Sequence, residues 1–121
     1  MTSAPKFISF SQSSVAPTSK DVSDCTIAGN PAQKVWLHSD NLAMSTKSGT
    51  WDCQAGTFRA TMTDLIEFCY IIEGEAQITN LDNNETFTVK AGDAFVMEPG
   101  FRSEWFVDKY IRKYFTISSK H

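Results

Sequence analysis

Glu67 stands at the head of an otherwise apolar run, Phe68-Cys-Tyr-Ile-Ile72, and a carboxylate so placed invites chemistry. The run is dense in aromatic and β-branched residues and reads as a strand. Side chains alternate faces along a strand, so a Glu67 turned inward takes Cys69 and Ile71 with it. A lone carboxylate in an apolar interior is costly, and it either takes up a proton or finds a cation. Two cations qualify by parity. In Tyr110-Ile-Arg-Lys-Tyr-Phe-Thr-Ile117, Lys113 shares a face with Ile111, Phe115 and Ile117. In Thr57-Phe-Arg-Ala-Thr-Met-Thr63, Arg59 shares one with Thr61 and Thr63. We therefore expect Glu67 to meet Lys113 or Arg59 in the interior. A paired Glu67 would be a binding group, or an acid–base group if burial raised its pKa toward working pH. Lys113 would anchor an anion, or act as a nucleophile if its pKa were depressed.

Other reactive groups are placed less favourably. Cys69 lies two residues from Glu67 on the same face, and a neighbouring carboxylate raises a thiol pKa, so Cys69 reads as a small core residue lining the interior. Trp105 shares parity with Ser103, so both are expected to line the interior, with Trp105 able to stack on a planar ligand. Phe101, just after Pro99-Gly100, is expected at the rim. His38 and Asp40 are neighbours in an expected loop, but without a placed nucleophile they make no triad. Cys25, Cys53 and Cys69 are odd in number, widely spaced and without Cys-x-x-Cys. Reduced thiols in a cytoplasm fit this better than disulfides or structural zinc.

The elements that must hold these residues are strands. The 121 residues suffice for one domain. No window shows a 3.6-residue period. Residues 1–34 are rich in Ser, Thr, Pro and Ala and read as an arm packed on the domain or exchanged with a partner subunit, with short strands at Phe7–Phe10 and Cys25–Ile27. Residues 35–121 carry short alternating runs punctuated by Gly, Pro and Asn. Ala76–Thr79 and Thr86–Val89 flank a hairpin loop at Leu81–Asn84, and Ala94–Met97 lies between two turns. About ten strands with little helix are expected, in an all-β sandwich or barrel. The net charge of −3 repels phosphate backbones and anionic lipid, so nucleic acid and membrane are not expected partners. The first residues lack the apolar run of a signal peptide, and no stretch approaches a membrane span. Phe68, Tyr70, Phe106 and Tyr114 share the outward parity, an apolar band that suggests a homodimer.

The wording from Gly49 to Tyr114 resembles the cupin superfamily. Glu67 and Gly74 keep the Glu-six-residues-Gly end of the first cupin motif. Gly92 and Gly100 keep the frame of the second, with Glu98 at the Pro place and Pro99 shifted by one. A nearer likeness is to the small cupins of the (S)-ureidoglycine aminohydrolase and ethanolamine-utilisation group, carried by Gly49-Thr-Trp51, Gly56-Thr-Phe-Arg59, Glu67–Glu75, Ala91-Gly-Asp93, Pro99-Gly-Phe101, Trp105 and Arg112-Lys-Tyr114. The resemblance implies a double-stranded β-barrel of jelly-roll type, with Gly74, Gly92 and Gly100 at corners where positive φ is free only for glycine. Metal-binding cupins carry His-x-His, the Glu and a later His. Here the His-x-His places fall on Thr61 and Thr63 counted back from Glu67, or on Met62 and Asp64 counted forward from Gly56, and the later place is Ser103. The resemblance thus implies a cupin without metal or other cofactor, a divalent ion at Glu67 being the residual alternative, that binds a small nitrogen-containing or carboxylate metabolite. A metal-independent lyase, isomerase or hydrolase built on Glu67 with Lys113 or Arg59 is the first alternative, and a metalloenzyme with unusual ligands the second.

Overall fold

The structure is a computed structural model and describes residues 4–120. It holds eight strands: β1 (Thr18–Lys20), β2 (Thr26–Gly29), β3 (Gln33–Asn41), β4 (Thr46–Thr61), β5 (Leu65–Asn80), β6 (Thr86–Lys90), β7 (Ala94–Met97) and β8 (Arg102–Ser119). Among the described residues there is no helix, and none long and apolar enough to cross a membrane. The strands are fewer than the ten expected because β4, β5 and β8 are long and run through corners that the turn signals suggested were breaks. Phe7–Phe10 forms no strand, while β1 appears where the composition gave no strand signal.

All pairing is antiparallel, in the order β1-β3-β4-β8-β5-β6, with β2 added to β4 and β7 to β5. The three long strands carry the architecture. β8 runs along one edge of β4 and one edge of β5 over their whole lengths. On its other edge β4 meets β3 with residues 46–53 and β2 with residues 56–58. On its other edge β5 meets β7 with residues 67–70 and β6 with residues 75–79. Each long strand therefore belongs to two half-sheets. The first is β1, β3, the start of β4, the end of β8, the start of β5 and β7; the second is β2, the end of β4, the start of β8, the end of β5 and β6. The halves fold face to face as a jelly roll around one core.

The folding-over happens at irregularities in register. β4 slips against β8 between Gln54 and Gly56, and β5 slips between Ile71 and Gln77. Bulges of this kind bend a strand and sharpen its twist. Gly74 sits in the β5 corner with φ +79°, and a Cβ there would run into the carbonyl oxygen of Tyr110. At the β4 corner a Cβ on Gly56 would come within 2.7 Å of the Pro31 ring. Gly92 and Gly100 also take positive φ, +99° and +91°.

The slips also decide which side chains face in. Ahead of its slip, β4 turns Trp51 and Cys53 inward; after it, Phe58 and Met62. β5 changes from Glu67, Cys69 and Ile71 to Ala76 and Ile78. β8 keeps one parity from Ser103 to Phe115. Trp105 is the centre of the resulting core, with its ring centroid 5.6 Å from Trp51, 5.7 Å from Phe58 and 6.3 Å from Phe95.

Candidate functional site

Glu67 and Lys113 meet inside the barrel. Lys113 Nζ donates to Glu67 Oε2 at 2.8 Å, and the two side chains are 7% and 9% exposed. The register sets the two on the same inner face of adjacent strands but not side by side: Glu67 pairs with Ile117 and Ile71 with Lys113, so they stand four residues apart along the ladder and meet because two long side chains reach toward each other inside the lumen. The ammonium also lies 4.5 Å from the Trp51 ring centroid and 4.9 Å from that of Trp105. Two indole faces and one carboxylate therefore take the place of its water. Cys69 Sγ donates to the same Glu67 oxygen at 3.1 Å.

Each charge is held by the other. Burial alone pushes the Glu67 carboxyl up, but the Lys113 ammonium, its hydrogen bond and the Cys69 thiol bring it below the ordinary carboxylate value. Burial likewise pulls the Lys113 ammonium down, and the Glu67 carboxylate more than offsets it, leaving its pKa raised. Cys69 goes the other way: burial, opposed in part by Lys113, pushes its thiol up to about 12, so it stays protonated and inert.

The space beside the pair is small. A cavity of about 70 Å³ is lined by Gln33, Trp51, Trp105, Glu67, Lys113 and Met97 among others, with Lys20 of β1 also on its wall. Gln33 is the residue that sequence reasoning missed. It begins β3, pairs with Lys20 on one side and Cys53 on the other, and is 3% exposed. Its Oε1 accepts from Trp51 Nε1 at 2.9 Å, while its Nε2 has no protein partner. A polar residue just after Asn30-Pro31-Ala32 reads as the end of a turn, and nothing local marks it as interior.

The other expected lining residues divide. Trp105 lines the cavity, whereas Ser103 is buried without lining it; a 3.2 Å bond from Trp105 Nε1 to Ser103 Oγ joins them, and Ser103 Oγ donates in turn to the Ala60 carbonyl at 3.3 Å. Arg59, Thr61 and Thr63 do not line the interior. The slip before Gly56 reverses the parity of the rest of β4, so Phe58, Ala60 and Met62 face the cavity instead. Arg59 lies outside and pairs with Glu104 at 3.1 Å, and Thr61 and Thr63 are exposed. Phe101 is half-buried and lines a neighbouring cleft of about 560 Å³ between β6 and β7, with Ile78, Phe87, Phe95 and Met97, the last shared with the cavity. His38 is in β3 rather than a loop, with Nε2 3.0 Å from Thr50 Oγ1 and the Phe10 ring centroid 4.4 Å away, tilted by 36°. Phe106 leaves the outward band: it lies on the second half-sheet, while Phe68, Tyr70 and Tyr114 lie on the first.

The residues present do not fit a divalent metal. Ala60 and Met62 line the cavity with Glu67 and match neither of the two pairs reached by counting, and Ser103 is buried without lining it. One of the two Glu67 oxygens, Oε2, is already shared by an ammonium and a thiol, and an ion at the other would sit beside that ammonium. Among the described residues no group of three His, Cys, Asp or Glu side chains converges. A dry ammonium stands where ligands to an ion would have to be.

A jelly roll whose lumen is lined from both half-sheets, with a Glu on β5 facing inward, defines a cupin. The model of the EutQ-like cupin domain matches residues 43–115, and the chain belongs to that family. Among solved structures it is similar to the EutQ protein of Clostridium difficile, at 18% identity and a TM-score of 0.63 over 74% of this chain and 64% of that one. It is similar to a Pseudomonas syringae protein of unknown function, at 20% identity and a TM-score of 0.74 over 88% of this chain and 45% of that one. It also resembles ectoine synthase from P. lautus, at 17% identity and a TM-score of 0.63 over 78% and 68%. The chain thus spans less than two-thirds of the EutQ protein's length, and at these identities the likenesses speak for the fold. No curated protein matches it in sequence.

Proposed function

We propose that this protein is a metal-independent cupin that binds a small polar metabolite in its lumen, with the Glu67–Lys113 pair as the polar anchor. The observation that carries this reading is the 2.8 Å bond between the two, set between two indole rings at a cavity wall. Fixed charges in a dry site recognise a ligand by direction and sign. They are less suited to moving protons, because a general acid or base needs a pKa near working pH, and here the carboxylate is held low and the ammonium high. A Lys113 held protonated is likewise no nucleophile. Binding is therefore favoured over the lyase, isomerase or hydrolase alternative.

Two measurements test this. Elemental analysis of purified protein should find no stoichiometric transition metal; zinc, manganese, nickel or iron near one per chain overturns the reading. A thermal-shift screen of small carboxylates, ureides and amines should find a ligand whose effect disappears in Glu67→Gln. At 100 times its Kd such a ligand adds about 2.7 kcal/mol. We also propose a homodimer through the outer face of the first half-sheet, where Ile66, Phe68, Tyr70 and Val96 are exposed together. Light scattering on Phe68→Asp tests it, and a wild type already monomeric at micromolar concentration overturns it.

A further inference from the structure

The lumenal cavity has more donors than acceptors. Gln33 Oε1 accepts the indole N–H of Trp51, a group that can only donate, so the orientation of the amide is fixed and Nε2 must face away from the indole nitrogen. Nε2 is then a buried amide NH₂ with two hydrogens and, apart from the weakly accepting Cys53 sulfur, no protein acceptor, on a residue that lines the cavity. A buried donor left without an acceptor is costly, and so rare that it asks for an explanation. Beside it, Lys113 has three N–H groups, and Glu67 Oε2 takes one. Lys20, the cross-strand partner of Gln33, lines the same cavity and lies near enough to pull the Glu67 carboxyl down. The charged side chains around the space are thus two cations and one carboxylate, and its donors outnumber the one acceptor left, Glu67 Oε1. Volume sets the size. At a liquid share of about 30 Å³ per water, about 70 Å³ admits roughly two waters, or a head group of about three heavy atoms.

We propose that the lumen takes the carboxylate head of a small organic acid, with one oxygen bound by Gln33 Nε2 and the charge balanced by Lys113 and, at the mouth, Lys20. This rests on the lumenal binding reading above and names its ligand class. A cationic ligand would meet two ammonium groups and an amide NH₂, with only Glu67 Oε1, on a carboxylate already paired with Lys113, to accept from it.

Formate is the probe, because it is the head group alone. Titration of the whole protein with formate should shift the side-chain amide resonances of Gln33 in ¹⁵N–¹H spectra and saturate. Gln33→Glu keeps an oxygen for Trp51 Nε1 but exchanges the donors for an acceptor, and should weaken formate by at least about tenfold, the scale of one hydrogen bond to a charged group. Lys20→Met changes an exposed residue, leaves the fold intact, and should weaken formate about two- to fivefold, less at high salt. Methylammonium at equal concentration should leave the Gln33 resonances unmoved. Formate binding that both variants leave unchanged overturns the proposal. So does an absence of formate binding while urea or methylammonium binds and is lost in Glu67→Gln, an outcome that leaves the lumenal reading standing. Failure of all three probes, with Glu67→Gln indifferent to every compound of the wider screen, overturns both.

Discussion

Two ion pairs join neighbouring strands of this barrel, and their surroundings differ in every respect that matters. Lys113–Glu67 crosses from β8 to β5 at 2.8 Å inside the lumen, with side chains under one-tenth exposed. Arg59–Glu104 crosses from β4 to β8 at 3.1 Å on the outside, with side chains 54% and 32% exposed. The distances are close to equal, so geometry does not separate them. Water does. The outer pair is solvated whether or not it forms, so forming it changes little. The inner pair has exchanged its water for two indole faces, a thiol and its partner, so each charge depends on the other for its solvation. The second pair decorates the barrel, while the first decides what its interior can hold.

The sharpest way to break this contrast is to remove one inner partner. Glu67→Gln or Lys113→Met should each cost about 3–5 kcal/mol in denaturant unfolding, because a buried charge is left alone. Removing both, as Glu67→Leu with Lys113→Met, should recover most of that loss, since an apolar pair has no charge to strand. Single variants that unfold with wild-type midpoints would mean that the pair is not buried as described.

pH offers a second break, with two limbs of known sign. Glu67 is held below its ordinary value of 4.5, so its contribution is complete above that pH and is lost as pH falls through the folded-state pKa. Lys113 is held above its ordinary 10.5, so its contribution is complete below that pH and is lost as pH rises through the folded-state pKa. The stability difference between the wild type and the doubly apolar variant, followed from acid to alkali, should therefore hold a plateau between the two ordinary values, because His38 and the Cys53 thiol, whose shifts also tie stability to pH, are present in both. In the doubly apolar variant both limbs should shrink. A difference between the two that begins only near neutrality would contradict the charge states described here.

Smaller effects sharpen the comparison. Cys69→Ala removes a donor to Glu67 and should cost about 1–2 kcal/mol, while Cys69→Ser keeps a donor and should cost less. Thiol reagents should find the half-buried Cys25 well before Cys69 or Cys53, whose thiols burial pushes up to about 12. Equal labelling of all three in the native protein would argue against a closed lumen. At the bottom of the scale, Arg59→Ala should change stability by less than about 1 kcal/mol, with the difference fading in salt. A larger loss would put Arg59 back among the residues that matter inside.

Much of this was legible in the residues, and the illegible part has one cause. Alternation of faces is a local property of any strand, so Glu67, Cys69 and Ile71 on one side, and Ile111, Lys113 and Phe115 on another, could be read from spacing within a few residues. The pairing of Glu67 with a cation followed from the cost of burying charge, although the choice between Lys113 and Arg59 did not. That choice turned on one slip between Gln54 and Gly56, which reversed the face of everything after it and put Arg59 in water. A slip is defined by how many residues the partner strand sets opposite, and no window of a single strand contains that count. Gln33 was hidden for the same reason: its amide is interior only because β1 and β4 close over it and Trp51 takes its oxygen. The sequence by itself determined the all-β class, the faces of its main strands between corners and the need for a buried cation. The tertiary structure decided where each face turns over, which cation arrives, and how little room remains beside it, because those depend on contacts between strands far apart in the chain.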